Sequence, residues 1–266
     1  MDPVDGLLFE REGAVATVTL NRPDRLNAIT WPMIAGIADF IDECANDDAV
    51  RAIVITGNGR AFSSGDDIVG GMGDRPARYG RPADITADLG GHHAMVKRIM
   101  TAPKPVIAAL NGRCHGAGWV TALACDFRVA RSDVLIGDIR AEKAIFAGQS
   151  VPLILPRLIG QSRAMDLLMT GRVIDAAEAE RYGILQRVWP VEDYERELAD
   201  FVDSLANGPT RTYAAWKLAV NRAVLLELDG YTEYEKRIAN IARDSDDNKE
   251  GVLAFREKRQ PRFTGR

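Results

Sequence analysis

The sequence contains few of the residues from which metal sites and disulfide frameworks are built. Its 266 residues include only three cysteines and three histidines. Cys44, Cys114 and Cys125 are odd in number and show no C-x-x-C spacing, which argues against both a disulfide framework and a zinc knuckle. Cys114 and His115 are adjacent, but neighbouring residues of a strand point to opposite faces. The sequence therefore predicts no metal site.

Neither positive charge nor long apolar runs are abundant. Lysine and arginine number 34 against 38 acidic residues, a net charge of -4, so no basic surface indicates nucleic-acid binding. No run is long and apolar enough to cross a bilayer, and residues 1–11 lack the apolar segment of a signal peptide. We therefore expect a cytoplasmic protein without a membrane or nucleic-acid partner.

The most informative stretch that is present lies between residues 105 and 127. It opens with an apolar run at 106–110 that is typical of a buried strand, and Asn111-Gly112 ends that run. Gly116-Ala117-Gly118 forms a second tight passage, and residues 119–125 are apolar or small, as in a buried helix. Unpaired backbone N–H groups at such a helix N-terminus suit an anionic oxygen.

A second strand followed by glycine lies earlier in the chain. Residues 50–56 predict a strong strand, and residues 60–68 continue as a polar loop that contains Gly65. Two such passages can bring two backbone donors to one point, as a thioester carbonyl requires when it becomes an enolate or tetrahedral oxyanion. Each passage by itself is more typical of an ordinary tight turn.

Local patterns predict further elements. They are a strand at 13–20, a helix capped by Thr30 with Pro32 in its first turn, a surface loop at 70–82, a helix from about 85 to 100, strands at 127–130 and 134–136, and helices at 151–159 and 161–169 and after Asp175. If the chain is extended at 138–142, then Asp138, Arg140 and Glu142 share one face.

Strands and helices alternate to about residue 190, which favours an α/β core over residues 1–190. Residues 191–266 predict helices only, with breaks at Gly208-Pro209, Asp229-Gly230 and Asp246-Asp247. We interpret this second region as a helical part that serves oligomerisation or covers the site.

Several segments together carry a family resemblance. They are 20–23 with 26–28, 54–57, 61–68, 104–112, 116–118, 125–128, 158–160, 168–171, and 250–251 with 254–255 and 257–259. As an ordered set over nearly the whole chain, these segments resemble the crotonase superfamily, the enoyl-CoA hydratase/isomerase family.

The resemblance implies an α/β fold, a crotonase-like spiral of ββα units with C-terminal helices, assembled as a homo-trimer or a dimer of trimers. It implies an acyl-CoA thioester as substrate, so coenzyme A is part of the substrate and no separate cofactor is expected. The backbone N–H groups of Asp66 and Ala117 would form the oxyanion hole. The residues that would contact the substrate or its CoA portion are Arg25, Leu26, Ala28, Ser64, Gly65, Asp67, Ile68, Gly118 and Lys258.

The chain departs from the family pattern at both acid–base positions. Hydratases of the family carry two glutamates, and their positions match Val120 and Arg140 here. Valine has no proton to exchange and arginine stays protonated, so neither replaces a carboxylate. Some family isomerases use an aspartate further on, but residues 148–150 hold no acid. Hydration by two glutamates is therefore not expected.

Few residues are candidates to replace the two missing glutamates. Asp138 could act as the base with Arg140 orienting it or holding a second anionic group, although a structural ion pair fits the same spacing. Asp66 would bring a second carboxylate to the oxyanion position. Asp67 is expected to fix its loop by hydrogen bonds, His115 to be structural, Glu142 to be solvated, and His92 and His93 to lie at the surface.

The sequence thus predicts an acyl-CoA enzyme of the enoyl-CoA hydratase/isomerase type. Its reaction is left open among double-bond isomerisation, C–C cleavage and thioester hydrolysis. A second class is a non-catalytic acyl-CoA binding protein: the missing glutamates are its main support, and the glycine turns fit it equally well. A serine hydrolase is a third class, since Ser63, Ser64 and Ser150 lie near glycines, but the sequence has no G-x-S-x-G motif.

Overall fold

A computed structural model describes residues 2–70 and 91–266 of the chain. The strands in this part are β1 Leu7–Glu12, β2 Val15–Leu20, β3 Ala52–Gly57, β4 Ala61–Ser63, β5 Val106–Leu110, β6 Arg113–His115, β7 Phe127–Arg131, β8 Leu135–Gly137, β9 Ile174–Asp175 and β10 Arg187–Trp189. The helices are α1 Trp31–Asn46, α2 Gly91–Thr101, α3 Ala117–Ala124, α4 Val151–Ile159, α5 Gln161–Thr170, α6 Ala176–Tyr182, α7 Tyr194–Ala206, α8 Thr210–Arg243 and α9 Asp246–Glu257.

The larger sheet has the order β1-β2-β3-β5-β7-β10. Only the β1–β2 pair in it is antiparallel, because the two strands are joined by a tight turn at residues 13–14. The remaining pairs are parallel, with helices on the connections. Strand β5 is buried along its whole length, which agrees with its unbroken run of apolar residues.

The smaller sheet, with the order β4-β6-β8-β9, places the residues of the candidate site. Its first three strands run parallel, so their carboxyl ends lie at the same edge. The segments that leave those ends are 64–66, 116–117 and 138–140. They are far apart in the chain and close together at this edge.

Helices α1, α2 and α3 cover these sheets and form much of the apolar core. Helix α1 buries Ile34, Ile37 and Ile41 on one face, as the spacing predicts. Thr30 occupies the N-cap position, but its side chain makes no capping hydrogen bond. Helix α3 is buried on every side, because it is short and its residues are all apolar or small apart from Thr121.

The structure differs from the local sequence patterns in three places. The sequence pattern missed β1, whose residues are mostly exposed and therefore lack a strong apolar alternation. Asp229-Gly230 does not break the chain, because α8 is one helix of 34 residues. The chain is not extended at 138–142, since it leaves β8 at Gly137 and turns through a 3-10 helix at Ala141–Lys143.

Two further predictions fall partly outside the described residues, namely the surface loop at 70–82 and the start of the helix from about 85. Within the part of the chain that the structure describes, no helix is long and apolar enough to cross a membrane.

Candidate active site

Two glycines bring the loops after β4 and β6 into van der Waals contact. A Cβ atom on Gly65 would lie 3.2 Å from Gly116 Cα and 3.4 Å from Ala117 N, and one on Gly116 would lie 3.1 Å from Gly65 Cα. Both residues also have positive φ, +104° and +52°. The backbones can approach this closely only because neither residue has a side chain.

The residues that follow these glycines present free backbone donors. Ala117 is the first residue of α3, so its N–H has no acceptor inside the helix. Across residues 2–70 and 91–266, neither the N–H of Ala117 nor that of Asp66 donates a hydrogen bond. Since the glycines are in contact, the two donors lie beside each other at the buried edge of the small sheet.

The residues predicted to contact CoA gather mostly at one side of these donors. Ser64 N donates to Leu26 O at 2.9 Å, and Ser64 Oγ lies 3.4 Å from Arg25 O. Leu26 has a positive φ of 51°, which turns the chain sharply here. Arg25 is exposed. Asn27, two residues later, is buried, and its side-chain amide anchors this turn by donating to Asn58 O and Ala61 O.

Asp67 holds the loop that carries Gly65 and Asp66. Its carboxylate accepts from Arg22 Nη2 at 2.9 Å and from Gly70 N at 2.7 Å. Burial opposes ionisation, but the hydrogen bonds from Gly70 and Arg22 and the charge of Arg22 lower the pKa of Asp67. Ile68 follows directly, half-buried, with its N–H donating back to Asp66 O.

Two predicted contact residues have other positions. Gly118 is buried in the first turn of α3, where a Cβ would lie 2.6 Å from Ser63 Cβ, so it allows the helix to pack on β4. Lys258 is exposed at the C-terminal end of α9. No hydrogen bond among the described residues links Lys258 to the turn at 25–28.

Val120 lies in the hydrophobic core, 2% exposed, on the helix whose first N–H is free. Its neighbour Trp119 is also buried, at 1% exposed. Val120 therefore brings no proton-exchanging group to the helix that begins at Ala117.

Asp138 and Arg140 form a buried ion pair. Arg140 Nε donates to Asp138 Oδ1 at 2.7 Å and Nη2 donates to Oδ2, while Nη1 donates to Gln149 Oε1 at 2.7 Å. The side chain of Asp138 is 1% exposed and both of its oxygens are occupied by Arg140. This geometry fits a structural pair and leaves Asp138 no free oxygen with which to act as a base.

The carboxylate of Asp66 faces an imidazole on α2. His92 Nε2 lies 3.1 Å from Asp66 Oδ1, although the angle between the groups is poor for a hydrogen bond. Burial alone would raise the pKa of Asp66, but the nearby His92 and the charge of Arg140 lower it. Asp66 is therefore ionised and adjoins a group that can carry a proton.

A carboxylate that the sequence patterns did not indicate comes from α8. Glu235, 2% exposed, accepts from Ser150 N at 3.1 Å and lies 3.3 Å from His93 Nε2. It brings an acid to residues 148–150, where the local sequence holds none. The available signal was the spacing, because Glu235 follows buried Leu228 by seven residues on the same helix face.

The surface position predicted for His92 and His93 is wrong, since the two residues are 2% and 7% exposed. His92 packs edge-on against Trp31, with the ring centres 5.4 Å apart. Polar residues before the helix suggested a solvent-exposed end, but the first turn of α2 is inserted between α1 and α8. Glu142, by contrast, is exposed as predicted.

Other candidate nucleophiles are occupied or inert. Ser63 Oγ donates to Asn27 O at 2.8 Å, and within the described chain no imidazole is hydrogen-bonded to Ser63, Ser64 or Ser150. His115 is buried with Nδ1 3.2 Å from Gly137 O, and burial lowers its pKa. Burial also raises the pKa of Cys125 to about 12, so its thiol stays protonated.

Comparisons with known proteins agree with the fold. The family model described as enoyl-CoA hydratase/isomerase matches residues 10–266. A probable enoyl-CoA hydratase of Mycobacterium tuberculosis is 35% identical over 260 residues, which cover 98% of each chain. The 1,2-epoxyphenylacetyl-CoA isomerase of Escherichia coli is 35% identical over 277 residues, again covering 98% of each.

Solved structures extend this similarity to three dimensions. An enoyl-CoA hydratase from Mycobacterium avium subsp. paratuberculosis matches with a TM-score of 0.87 and 32% identity, covering 98% of this chain and 100% of that one. A carnitinyl-CoA hydratase from Mycobacterium avium matches with a TM-score of 0.85 and 27% identity, covering 98% and 99%. The predicted crotonase-like α/β fold is confirmed, and the chain belongs to the enoyl-CoA hydratase/isomerase family.

Proposed function

We propose that this protein is an acyl-CoA isomerase that moves a carbon–carbon double bond through a thioester enolate. The enolate oxygen would accept hydrogen bonds from the N–H groups of Asp66 and Ala117. The observation that carries the proposal is the contact between Gly65 and Gly116. It places side by side two N–H groups that donate no hydrogen bond among the described residues. Two preorganised donors of this kind stabilise the charge that develops on a thioester oxygen.

The surrounding side chains favour isomerisation over hydration. Hydration needs an acid and a base that position a water molecule, and Val120 and Arg140 cannot serve as that pair. A double-bond shift needs no water, because one proton leaves the α carbon and another is added at the γ carbon.

His92 is the proposed acceptor of the α proton. It lies beside Asp66. Because the N–H of Asp66 would also be one donor of the oxyanion hole, the base and the enolate oxygen would be adjacent. The ionised carboxylate would stabilise the imidazolium that forms. Asp138 would keep Arg140 in place and take no proton itself.

The rest of the substrate would be held at the exposed side of the oxyanion hole. Arg25, Leu26, Ala28 and Ser64 would contact the CoA portion, with Lys258 near its phosphates. We include in the proposal a homo-trimer or dimer of trimers and a reaction that needs no cofactor.

Hydrogen exchange at the α carbon tests enolate formation directly. A saturated acyl-CoA incubated in D₂O should gain deuterium at this carbon, and a 3-enoyl-CoA should become the 2-enoyl isomer. Ala117→Pro removes one donor at the first position of a helix, where proline is tolerated. We expect this variant to lose both reactions about 100- to 1,000-fold, the usual effect of losing one oxyanion donor.

Two outcomes would contradict the proposal. A protein that binds acyl-CoA by calorimetry but catalyses neither exchange nor isomerisation would be an acyl-CoA binding protein. A protein that hydrates crotonyl-CoA faster than it isomerises 3-enoyl-CoA would be a hydratase that works without the two glutamates.

A further inference from the structure

Helix α8 brings a second histidine–carboxylate pair to the candidate site. Glu235 and His93 come from helices α8 and α2, and their Oε2 and Nε2 atoms lie 3.3 Å apart. Both side chains are more than nine-tenths buried. A buried carboxylate needs compensating partners, and here these are the imidazole and the N–H of Ser150.

The loop at residues 148–150 adjoins Arg140 and the Glu235–His93 pair. Gln149 Oε1 accepts from Arg140, and Ser150 donates its N–H to Glu235. Gly148 is in contact with Glu235, because a Cβ there would collide with Oε1 of the carboxylate. The loop therefore contacts Arg140 on one side and Glu235 on the other.

Arg140 lies within electrostatic range of both carboxylates. Burial would lower its pKa, but the negative charges of Asp138, Asp66 and Glu235 raise it. Gln149, which Arg140 contacts, and Ser150, which Glu235 contacts, are adjacent residues, so Arg140 and the Glu235–His93 pair adjoin the same loop. The pair with His92 adjoins the oxyanion donors, and the pair with His93 lies toward α8.

The backbone and the unpaired polar atoms of this loop are unusual for a purely structural segment. Gln149 and Ser150 have positive φ of 62° and 71°, which is uncommon outside glycine and often marks functional sites. Ser150 Oγ and His93 Nδ1 are buried and have no hydrogen-bond partner among the described residues. Buried polar atoms of this kind require an explanation beyond packing.

We propose that His93, paired with Glu235, is the acid that delivers the proton to the γ carbon. This inference rests on the isomerase function proposed above. His92 with Asp66 would serve the α carbon and His93 with Glu235 the γ carbon, so the reaction uses two proton-transfer groups.

The step balances without an oxidant or a further reactant. The α C–H bond breaks, its proton goes to His92, and its electron pair enters the dienolate held at the oxyanion donors. The dienolate electrons then form a C–H bond at the γ carbon with the proton that leaves His93. The product is the 2-enoyl thioester, and exchange with solvent returns both histidines to their starting protonation states.

A purely structural role for Glu235 gives a different expectation. Its carboxylate accepts the N–H of Ser150 ahead of α4 and so also helps to fix the end of that helix. Glu235→Gln keeps an oxygen that can accept this hydrogen bond and removes only the charge. If the role is structural, the variant should retain the reaction or lose all activities together.

The experiment compares two reactions of the full-length protein in D₂O, α-carbon exchange and isomerisation of a 3-enoyl-CoA. We expect Glu235→Gln to lower isomerisation about 100-fold or more, as for loss of one acid–base group, and to keep α exchange within about threefold of the wild type. His93→Gln should behave alike, and Ala117→Pro should lower both reactions. Glu227→Gln is the matched control, since Glu227 lies on the same helix with its side chain 56% exposed and pairs only with the exposed Arg157 among the described ion pairs.

Label transfer gives an independent result. With an α-deuterated substrate in H₂O, two separate groups should give a product without deuterium at the γ carbon. Direct transfer of the label to that carbon in the wild type would overturn the inference, as would equal loss or full retention of both reactions in Glu235→Gln.

A wild-type protein that exchanges the α hydrogen but does not isomerise refutes the role of His93 and leaves enolate formation standing. A wild type inert in both reactions refutes the proposed function itself.

Discussion

At the scale of single residues, burial decides what an aspartate–arginine pair contributes. Two such pairs with the same separation occur in the described part of the chain, residues 2–70 and 91–266. Arg131 and Asp133 are 27% and 51% exposed, whereas the side chains of Arg140 and Asp138 are 8% and 1% exposed. Water screens the first pair and stabilises its members when they are separated, but it cannot do so for the second.

Asp138→Asn should therefore lower the free energy of unfolding by about 3–5 kcal/mol, because Arg140 would stay buried without its counter-charge. Asp133→Asn is the matched control and should cost at most about 1 kcal/mol. Urea denaturation of the two variants measures both values. A similar small loss in the two variants would show that Arg140 finds another partner.

The residue scale also shows where sequence patterns succeed. The absence of carboxylates at Val120 and Arg140 could be read directly, because each position follows a recognisable glycine or Cys-Asp segment. His92 and His93 could not be placed, since a polar flank predicts a solvent-exposed helix end whether or not another helix covers it. Glu235 was missed for the same reason, as only the fold reveals that α8 passes the site.

At the scale of elements, glycines in the two last helices have opposite surroundings. Gly230 lies in the middle of α8, exposed, with no atom within 4 Å of an added Cβ. Gly251 lies in α9 against the 3-10 turn, where an added Cβ would collide with the backbone of Lys143. One glycine only weakens its helix, and the other permits two elements to pack.

Gly230→Ala should raise the free energy of unfolding by about 0.5–1 kcal/mol, because alanine reduces the backbone entropy that the helix must lose. Gly251→Ala should lower it by about 1–3 kcal/mol, the usual cost of inserting a carbon into a packed contact. Thermal or urea unfolding of both variants tests the difference in sign. Stabilisation by both substitutions would mean that α9 can shift away from the turn without cost.

The C-terminal tail is held to α9 by its acidic first turns. Glu250 accepts from Arg259 Nη1 and Nη2 at 2.6 and 2.8 Å and from Arg262 N at 2.8 Å. Asp247 accepts from the N–H groups of Thr264 and Gly265 at 2.6 and 2.8 Å. These contacts fix the segment that begins at Lys258.

Acid should release this tail. Hydrogen bonds from Arg259 and then Arg262 lower the pKa of Glu250 from 4.5 to about 2. Because the folded-state pKa is depressed, the contribution of Glu250 is complete above pH 4.5 and is lost as the pH falls toward about 2. Amide exchange of residues 259–265, corrected for intrinsic rates, should therefore lose protection in this window. Glu250→Gln should show the weaker protection already at neutral pH, and an unchanged profile in that variant would contradict the assignment.

At the scale of the whole molecule, local patterns predicted most strands and helices, and the glycine motifs predicted which loops meet. The α/β core, the buried β5 and the short α3 followed from apolar runs and their breaks. Contacts between distant segments did not follow from any local pattern. Glu235 meets Ser150 across 85 residues and His93 across 142, and no spacing rule reaches that far.

The proposed trimer or hexamer makes a prediction at this scale. Trp216 and Val220 on α8 are 61% and 79% exposed and line a cavity of about 590 Å³ between α8 and the end of α3. Light scattering should give a mass three or six times that of the chain.

Val220→Glu should shift the protein toward smaller species if this surface lies between subunits. Glu227→Gln, at a polar exposed site on the same helix, is the control and should leave the mass unchanged. A monomeric wild type would refute the predicted assembly.

The continuity of α8 has a mechanical consequence. Lys217, near its start, is anchored by a 2.7 Å contact with Asp126 beside the larger sheet, and Glu235, near its end, reaches Ser150. About 27 Å of helix separates the two anchors, at 1.5 Å per residue. A helix without a hinge behaves as a rigid rod over this length, so its position at the sheet also sets the depth to which Glu235 is inserted. Small displacements at the Lys217 anchor would then be transmitted along the rod to the carboxylate.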